Sequence, residues 1–246
     1  MSLAGRSVLV ARPTGQCGRL LALLREAGAR ATHFPVMELE ADPVALDALP
    51  DAADKADWLV FVSPGVIDLA WPRLAGHPVA ARLACVGAAS AAKLAALSGL
   101  PVTHPSDGSD SEALLALPEF AQMAGQRVLI VRGEGGRATL AETLTERGAN
   151  VSFAEVYRRV DASPDWKDFD RHHPQAVILT SSDMVERWFR LAGPSRAAQL
   201  QCLLYCVPHP RIAERLAGHG ATRIVTTRAG DDALVAGLRE WFSRHP

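Results

Sequence analysis

Several patterns that would assign a protein to a class at first sight are missing from this chain of 246 residues. Its four cysteines form no CxxC pair, and two of them, Cys85 and Cys206, lie in apolar runs where we expect them to be buried. No apolar run approaches the ~18 residues of a membrane span. A formal net charge of -1, without any basic run, argues against nucleic acid as a partner.

Familiar catalytic signatures are also missing. The chain has no G-x-S-x-G nucleophile elbow, no HExxH zinc motif and no Walker loop. The pair His172-His173 has no acidic or cysteine partner at ligand spacing, so we expect no metal site. Residues 1–7 lead into an apolar run without the apolar core of a signal peptide, and we therefore expect a cytoplasmic protein.

What the sequence does contain is a long internal repeat. Residues 8–36 recur at 128–156 with a constant spacing of 120, and 10 of the 29 aligned positions are identical. The match continues downstream, where residues 83–86 correspond to 204–207 at a spacing of 121. A period of this length is a whole domain, because solenoid repeats are much shorter. The repeat predicts two related lobes, and small ligands commonly bind in a cleft between lobes.

Short apolar runs bounded by turn residues alternate with amphipathic stretches, a pattern typical of parallel strands covered by helices on both faces. We predict an α/β fold of two doubly wound parallel-sheet domains, of the Rossmann or flavodoxin-like kind, that arose by internal duplication. The predicted strands cover residues 8–11, 58–62, 83–86, 128–131, 151–156, 176–179, 203–207 and 223–226. The predicted helices include residues 20–27, 90–97, 139–147, 210–217 and 231–242. Left-handed caps are expected at Gly28, Gly99, Gly148 and Gly220.

A glycine-rich turn that contains Gly133 and Gly135 follows a predicted strand and precedes a predicted helix. The backbone N–H groups of such a turn, together with the positive end of the helix, suit an anion. Arg132 and Arg137 flank the glycines and would add positive charge. The spacing matches neither GxGxxG nor a Walker loop, so a carboxylate fits better than a nucleotide. A plain tight turn with surface arginines is the alternative.

Small hydroxyl residues recur where predicted strands end. Ser63 and the pair Ser181-Ser182 follow two strands, and Ser90 opens a helix after Gly87. Ligands of doubly wound sheets bind beyond the carboxyl ends of the strands, so these hydroxyls are candidate substrate-binding groups. Each of them has an alternative role as the N-cap of a helix.

Three further side chains complete the candidate set. Arg12 takes the place of Arg132 in the first copy of the repeat, and His209 lies between two prolines at a predicted strand-to-helix turn. Tyr157 is one of only two tyrosines and ends the strand predicted over residues 151–156. A buried tyrosine with a backbone partner is the alternative interpretation of Tyr157.

Three nearly consecutive stretches are the most distinctive part of the sequence: residues 132–137 read RGEGGR, residues 143–149 read TLTERGA and residues 156–159 read VYRR. Together they resemble the uroporphyrinogen-III synthase family, cofactor-free cyclases of tetrapyrrole biosynthesis. Looser similarities follow the order of the family's other landmarks, so the resemblance covers nearly the full chain. They lie at residues 8–13, 61–66, 86–91, 111–115, 179–185 and 207–213.

The resemblance implies an exchange of segments between the two domains, which the repeat alone does not. The first domain would combine residues 1–35 with residues 174–246, and the second would cover residues 40–153. A two-stranded connection and linker, residues 36–39 and 154–173, would join them.

The resemblance also implies an activity: cyclisation of the linear tetrapyrrole hydroxymethylbilane to uroporphyrinogen III, with inversion of ring D and loss of water. Tyr157 is then the expected proton donor. The remaining candidates would bind the eight carboxylates of the substrate: Arg12, Ser63, Ser90, Arg132, Gly133, Gly135, Arg137, Ser181, Ser182 and His209.

No cofactor is implied. The expected partners are hydroxymethylbilane and, through transfer of that substrate, the preceding enzyme of the pathway; we expect a monomer that binds neither nucleic acid nor membranes. Two alternatives stay open on the residues alone. One is a non-enzymatic two-lobed module that binds a small anion, and the other is a nucleotide-dependent α/β enzyme that uses the glycine turn.

Overall fold

The computed structural model describes residues 2–108, 110–136 and 138–245. Contacts divide the chain into two compact units. The first unit consists of Met1–Leu39 and Val160–Pro246, and the second unit consists of Glu40–Arg159. The first unit is therefore built from both ends of the chain.

Strands alternate with helices along most of the described ranges. The strands are β1 (Ser7–Val10), β2 (Arg30–His33), β3 (Met37–Ala41), β4 (Trp58–Phe61), β5 (Arg82–Cys85), β6 (Val102–Thr103), β7 (Arg127–Gly133), β8 (Asn150–Asp161), β9 (Ala176–Ile178), β10 (Leu204–Val207) and β11 (Arg223–Thr226).

The helices are α1 (Gly18–Glu26), α2 (Pro43–Asp47), α3 (Leu49–Ala53), α4 (Pro64–Leu74), α5 (Ala88–Ser98), α6 (Ser111–Leu115), α7 (Thr139–Glu146), α8 (Trp166–His172), α9 (Ser182–Ala192), α10 (Ala197–Gln201), α11 (Pro210–Gly218) and α12 (Asp231–Arg244). Short 3-10 turns cover Pro118–Phe120 and Pro194–Arg196.

The two sheets have the same spatial order of strands. In the described part of the first unit the order is β11-β10-β9-β1-β2, with parallel neighbours throughout. In the second sheet β6-β5-β4-β7-β8 repeats that order, again in parallel, and β3 adds a sixth strand beside β8. The predicted α/β class with two parallel sheets is confirmed.

The strand order also shows how the repeat is used. β1 and β2 correspond to β7 and β8 at a spacing of 120, yet β1 pairs with β9, which lies in the C-terminal segment of the first unit. β7 pairs with β4, which precedes it. Each sheet therefore joins pieces from both sequence copies, and the boundaries of the repeat are not the boundaries of the units.

The central strands of the first sheet, β1, β9 and β10, are buried on both faces, as the continuous apolar runs predicted. The strand β11 was predicted to be buried in the same way and is partly exposed, because it forms an edge of the sheet in the described ranges. Val8 and Val10 of β1 belong to one apolar core, which packs against α1 and α12. Leu9 belongs to a second core, which packs against α8, α9 and α11. Because alternate residues of a strand point to opposite faces, one short apolar strand supplies both cores.

The second sheet has an equivalent core on the face of α6 and α7. Val60 of β4 and Ile130 of β7 pack there with Leu114 and Leu144 of those helices. On the opposite face, α4 and α5 pack against each other. Helices thus cover both faces of this sheet too, which is the doubly wound arrangement.

Glycines end four helices as the sequence predicted. All four have positive φ angles, between 68° and 94°, a backbone region that residues other than glycine rarely adopt. The residues are Gly28, Gly99, Gly148 and Gly220.

The predicted match of residues 83–86 with residues 204–207 is wrong by one position. Strand pairing aligns Cys206 with Ala84, at a spacing of 122, and not with Cys85. A shift of one residue reverses the face of a strand, so the two cysteines lie on opposite faces of their sheets. Both thiols are free and buried as expected, and burial raises the pKa of each to about 12.

Two strands, β3 and β8, cross the boundary between the units. Asp42 N–H donates to the carbonyl of Val156 and Ala162 N–H donates to the carbonyl of Val36. Residue 36 lies opposite residue 162 and residue 42 lies opposite residue 156, so the two strands run antiparallel. No helix in the described ranges is both long and apolar enough to span a membrane.

Candidate active site

Tyr157 lies inside β8 rather than at the end of a strand, because β8 continues to Asp161. The neighbouring strand, β7, pairs Arg132 with Glu155 and Gly133 with Tyr157, so β8 holds one extra residue at this point. Such a bulge disrupts the ladder locally and re-aims side chains. Arg132 and Gly133 are part of β7, so the turn that was predicted to begin at Arg132 begins after Gly133.

The ring of Tyr157 packs directly on the backbone of Gly133. A methyl group on Gly133 would overlap Cζ and Cε2 of the ring and would lie 2.8 Å from the hydroxyl oxygen. Glu134 N–H also donates to the carbonyl of Tyr157, at 2.8 Å. Tyr157 is only 6% exposed, and Gly133 is the residue that leaves space for it.

The hydroxyl of Tyr157 has a charged neighbour. Nη2 of Arg159 lies 3.4 Å from the phenol oxygen, and Nη1 of the same side chain lies 3.5 Å from the carbonyl oxygen of Glu134. The guanidinium carbon is 5.6 Å from the centre of the Tyr157 ring. Arg159 therefore connects the phenol to the backbone of the turn that follows β7.

Tyr157 lines a pocket of about 440 Å³ in the second unit. The other lining residues are Glu40, Ala41, Asp42, Pro43, Glu134, Glu155 and Arg158. Four of them are carboxylates. Arg158 pairs with Glu40 at 2.7 Å, and its guanidinium holds the pKa of that carboxyl below its usual range.

Arg132 is held in place by its own strand pair. Nε and Nη2 donate to Oε1 of Glu155 at 3.0 and 2.8 Å, and Nη1 lies 3.4 Å from the carbonyl of Gly136. The guanidinium also stacks on Phe153, 4.0 Å from the ring centre. Three of the nitrogens thus have partners inside the protein, which leaves Arg132 less free to bind an anion than the sequence indicated.

The turn beyond β7 leads into α7. Gly135 has a φ of +69° and open space around it, and α7 begins without a side-chain cap on its first N–H groups. Those N–H groups are available to an anion. Arg137, the other arginine predicted to serve this turn, lies outside the described residues.

Ser63 and Ser90 have different surroundings. Ser63 is the N-cap of α4, and its hydroxyl accepts from Val66 N–H at 3.3 Å. Ser90 does not open a helix as predicted, since α5 begins at Ala88. It lies in the first turn, 5% exposed, and Gly87 supplies no side-chain cap to that helix.

In the first unit, Arg12 follows β1 and forms an ion pair with Asp231 at the start of α12, at 2.8 Å. Nη1, which makes this contact, also lies 3.4 Å from the carbonyl of Gln16. Both charged side chains of the pair are mostly buried. Arg12 therefore fixes the end of α12 to the turn after β1.

The other candidates of the first unit begin helices. Ser181 caps α9 and accepts from Met184 N–H at 3.1 Å, and the neighbouring hydroxyl of Ser182 is buried without a hydrogen-bond partner. His209 caps α11, with Nδ1 accepting from Arg211 N–H at 3.2 Å. That bond places the proton of neutral His209 on Nε2.

Sequence reasoning missed three side chains around Tyr157: Phe153, Glu155 and Arg159. Phe153 and Glu155 contact Arg132, whereas Arg159 contacts Tyr157. The bulge between Glu155 and Tyr157 interrupts the period of two along β8, so the sequence pattern alone could not have grouped the three side chains. Among the described residues, no three His, Cys, Asp or Glu side chains converge in a way that could hold a metal ion.

Comparisons with known proteins identify the family. The model of the family described as uroporphyrinogen-III synthase HemD matches residues 18–236. Uroporphyrinogen-III synthase of Salmonella typhimurium is 35% identical over 95% of this chain and 100% of its own length. The Escherichia coli uroporphyrinogen-III synthase is 32% identical with the same coverage of both chains.

The fold has solved relatives as well. The structure of a mutant uroporphyrinogen III synthase from Thermus thermophilus superimposes with a TM-score of 0.65, over 97% of this chain and 98% of that one. At 19% identity this likeness concerns the fold alone. The family match over most of the sequence and the two bacterial relatives carry the assignment: this chain belongs to the uroporphyrinogen-III synthase family.

Proposed function

We propose that this chain cyclises hydroxymethylbilane to uroporphyrinogen III, with inversion of ring D and loss of water. Family membership supports the reaction, and the packing of Tyr157 on Gly133 beside a pocket is the single observation that supports a place for the chemistry. Holding a flexible linear substrate so that the correct carbon attacks is an orientation effect, worth up to ~7 to 11 kcal/mol in favourable intramolecular reactions.

Loss of water requires a proton for the departing hydroxyl. Tyr157 is the proposed donor, because a phenol carries its proton at neutral pH and this one lines the pocket. The C–O bond of the hydroxymethyl group breaks with its electron pair on oxygen, and the proton of Tyr157 completes the water. General acid help of this kind typically contributes ~10²-fold or more to the rate.

The acidic lining of the pocket is suited to the positively charged methylene carbon that remains after the hydroxyl has left. When the hydroxyl leaves, positive charge develops on the methylene carbon and its pyrrole ring. Glu40, Asp42, Glu134 and Glu155 line the pocket and would stabilise that charge. The same carboxylates repel the acetate and propionate groups of the substrate, so those groups would bind elsewhere.

Backbone N–H groups are the proposed sites for substrate carboxylates. In the second unit α5 and α7 begin without side-chain caps, near Ser90 and Gly135 respectively. The N-terminus of a helix with free N–H groups attracts anions. The other proposed binding residues are Arg12, Ser63, Arg132, Gly133, Arg137, Ser181, Ser182 and His209.

The test supplies hydroxymethylbilane to the purified protein and separates the type I and type III uroporphyrins after oxidation of the products. We expect the type III isomer from the wild type, and Tyr157→Phe should form it ~10²-fold more slowly. Tyr205→Phe is the matched control, since Tyr205 is buried and bonded to Trp188 and Leu200. Production of only the type I isomer by the wild type contradicts the proposed function, whereas full activity of Tyr157→Phe removes Tyr157 from it.

The proposal also covers the surroundings of the enzyme. We infer a monomer in the cytoplasm that receives its substrate from the preceding enzyme of the pathway. The four free cysteines are in keeping with a reducing compartment. Sedimentation of the protein alone and with that enzyme tests both the monomer and the transfer.

A further inference from the structure

We propose that Arg159 is a positioning residue that turns the hydroxyl proton of Tyr157 toward the reacting oxygen of the substrate. The role of the proton rests on the proposed function, in which Tyr157 donates it to the leaving hydroxyl. The structural basis of the proposal is the contact of Nη2 of Arg159 with the phenol oxygen, at 3.4 Å.

Donor and acceptor roles are fixed in this contact. A guanidinium is always protonated and has no acceptor atom, so Arg159 can only donate. The phenol oxygen must then accept with a lone pair, and its own O–H bond is directed away from Arg159. The proton of Tyr157 therefore stays available to a leaving oxygen rather than being used inside the protein.

The distance of 3.4 Å is long for a hydrogen bond. Catalytic hydrogen bonds in enzymes without substrate are often long and shorten when the substrate binds. Transfer of the proton leaves a negative phenolate, and its attraction to the positive guanidinium of Arg159 strengthens the contact during the reaction. The phenolate recovers a proton when the final ring carbon loses one, so the cycle balances.

The other arginines near Tyr157 have carboxylate partners. Arg132 is bound to Glu155 and Arg158 is bound to Glu40. Arg159 instead directs its second nitrogen to the carbonyl of Glu134, at 3.5 Å, in the turn that follows β7. The charged groups that line the pocket are Glu40, Asp42, Glu134, Glu155 and Arg158.

The first test is kinetic. We expect Arg159→Met to lower kcat about tenfold or more while KM stays within about twofold, because proton donation and not substrate binding is impaired. Arg159→Lys should recover part of the loss, since an ammonium also donates. Arg73→Met is the control: Arg73 is exposed on α4, pairs with Asp47 and lies in the same unit.

A double mutant separates positioning from an independent role. Once Tyr157→Phe has removed the hydroxyl, Arg159→Met should cost no further activity. A loss of equal size in both backgrounds overturns the proposal, and so does a rise in KM with an unchanged kcat, which would make Arg159 a substrate-binding residue.

The second test does not depend on turnover. The chain has two tyrosines, so 3-fluorotyrosine labelling gives two fluorine resonances, and Tyr157→Phe assigns them. Arg159→Met should shift the Tyr157 resonance and leave that of Tyr205, which is fully buried in the other unit. A Tyr157 resonance that is unchanged in Arg159→Met overturns the contact, even if the wild type proves to be an active synthase. A shifted resonance in a protein without synthase activity supports the contact and contradicts only the proposed function.

Discussion

The segment from β7 to β8 and the segment from β1 to β2 are related by the internal repeat, and each forms a strand, a helix and a parallel strand. At two pairs of corresponding positions the side chains differ in chemistry: Gly133 in the second unit corresponds to Pro13 in the first, and Tyr157 corresponds to Met37. Tyr157 packs on Gly133 and lines a pocket. Met37 is buried in an apolar core.

The flanking arginines differ in the same way. Arg12 is bound to Asp231 of a distant helix, whereas Arg132 is bound to Glu155 of the adjacent strand and stacks on Phe153. Duplication kept the strands and helices, which depend on apolar pattern. The polar partners diverged, and only the second copy has a hydroxyl-bearing side chain over the glycine.

The largest effect is expected at Gly133. In Gly133→Ala the new methyl overlaps the ring of Tyr157, so the ring must move; we expect ~10²-fold less activity and a loss of about 1 to 3 kcal/mol of stability. Pro13→Ala, the matched change in the first copy, should keep activity. Turnover and urea unfolding measure both.

The stability loss of Gly133→Ala has its own control. In the background of Tyr157→Ala the ring is gone, and Gly133→Ala should then be nearly neutral in urea unfolding. An equal loss of stability with and without the ring would show that the backbone, and not Tyr157, requires glycine.

A smaller effect is expected at the serine caps that correspond in the two units, Ser63 and Ser181. Replacement of either by alanine should cost about 1 kcal/mol, because one N–H group of the helix loses its acceptor. Replacement by aspartate keeps the cap. If the serines also bind substrate carboxylates, the aspartate variants should have a raised KM at normal stability.

The control for the caps is Asp110, which caps α6 by accepting from Ala113 N–H at 2.9 Å. Asp110→Ala should lower stability to a similar extent and leave KM unchanged. Aspartate variants of Ser63 and Ser181 with an unchanged KM would mean that the two hydroxyls serve the helices alone.

The smallest effect is a difference in acid sensitivity. Asp57 accepts from the backbone N–H and the side chain of Arg127, and these bonds lower the pKa of its carboxyl to about 2. The corresponding pair of the first unit is neutral: the amide oxygen of Gln175 accepts from Ser7 N–H at 3.2 Å.

A carboxyl with a lowered pKa contributes stability above its unfolded pKa of ~4 and loses it as the pH falls through the folded value. Between about pH 4 and about pH 2, protection against hydrogen exchange, corrected for the intrinsic exchange rate, should therefore fall around β4 and β7 more than around β1 and β9. Asp57→Asn should remove this difference. Equal responses of the two sheets in the wild type would show that the ion pair has no such role.

The apolar pattern made the central strands and the repeated helices predictable. β4 and β10 are fully buried, and their position between turn residues is enough to identify them. α8 was not recognised, because it is short and draws its stability from packing against neighbours. β3 was expected only through the family resemblance, as part of the two-stranded connection. The helix caps were predictable at glycines, where the backbone requirement is local.

The surroundings of Tyr157 were less predictable than its sequence context. The bulge beside Gly133 depends on how β7 and β8 pair, and the partner of Arg132 is 23 residues away along the chain. The sequence identified Tyr157 and Gly133 as separate candidates with separate roles. Their contact is a product of the strand pairing.

Strand order has a consequence for how the chain finds its native state. β1 and β7 have similar apolar sequences, and in the native sheets β4 pairs with β7 while β9 pairs with β1. The exchanged pairing, β4 with β1 and β9 with β7, would join strands that are closer in the sequence. In that misassembled product Asp57 would face Ser7, and Arg127 would face Gln175 without a carboxylate. The ion pair between Asp57 and Arg127 would be lost in that product, so it favours the native pairing of β4 with β7.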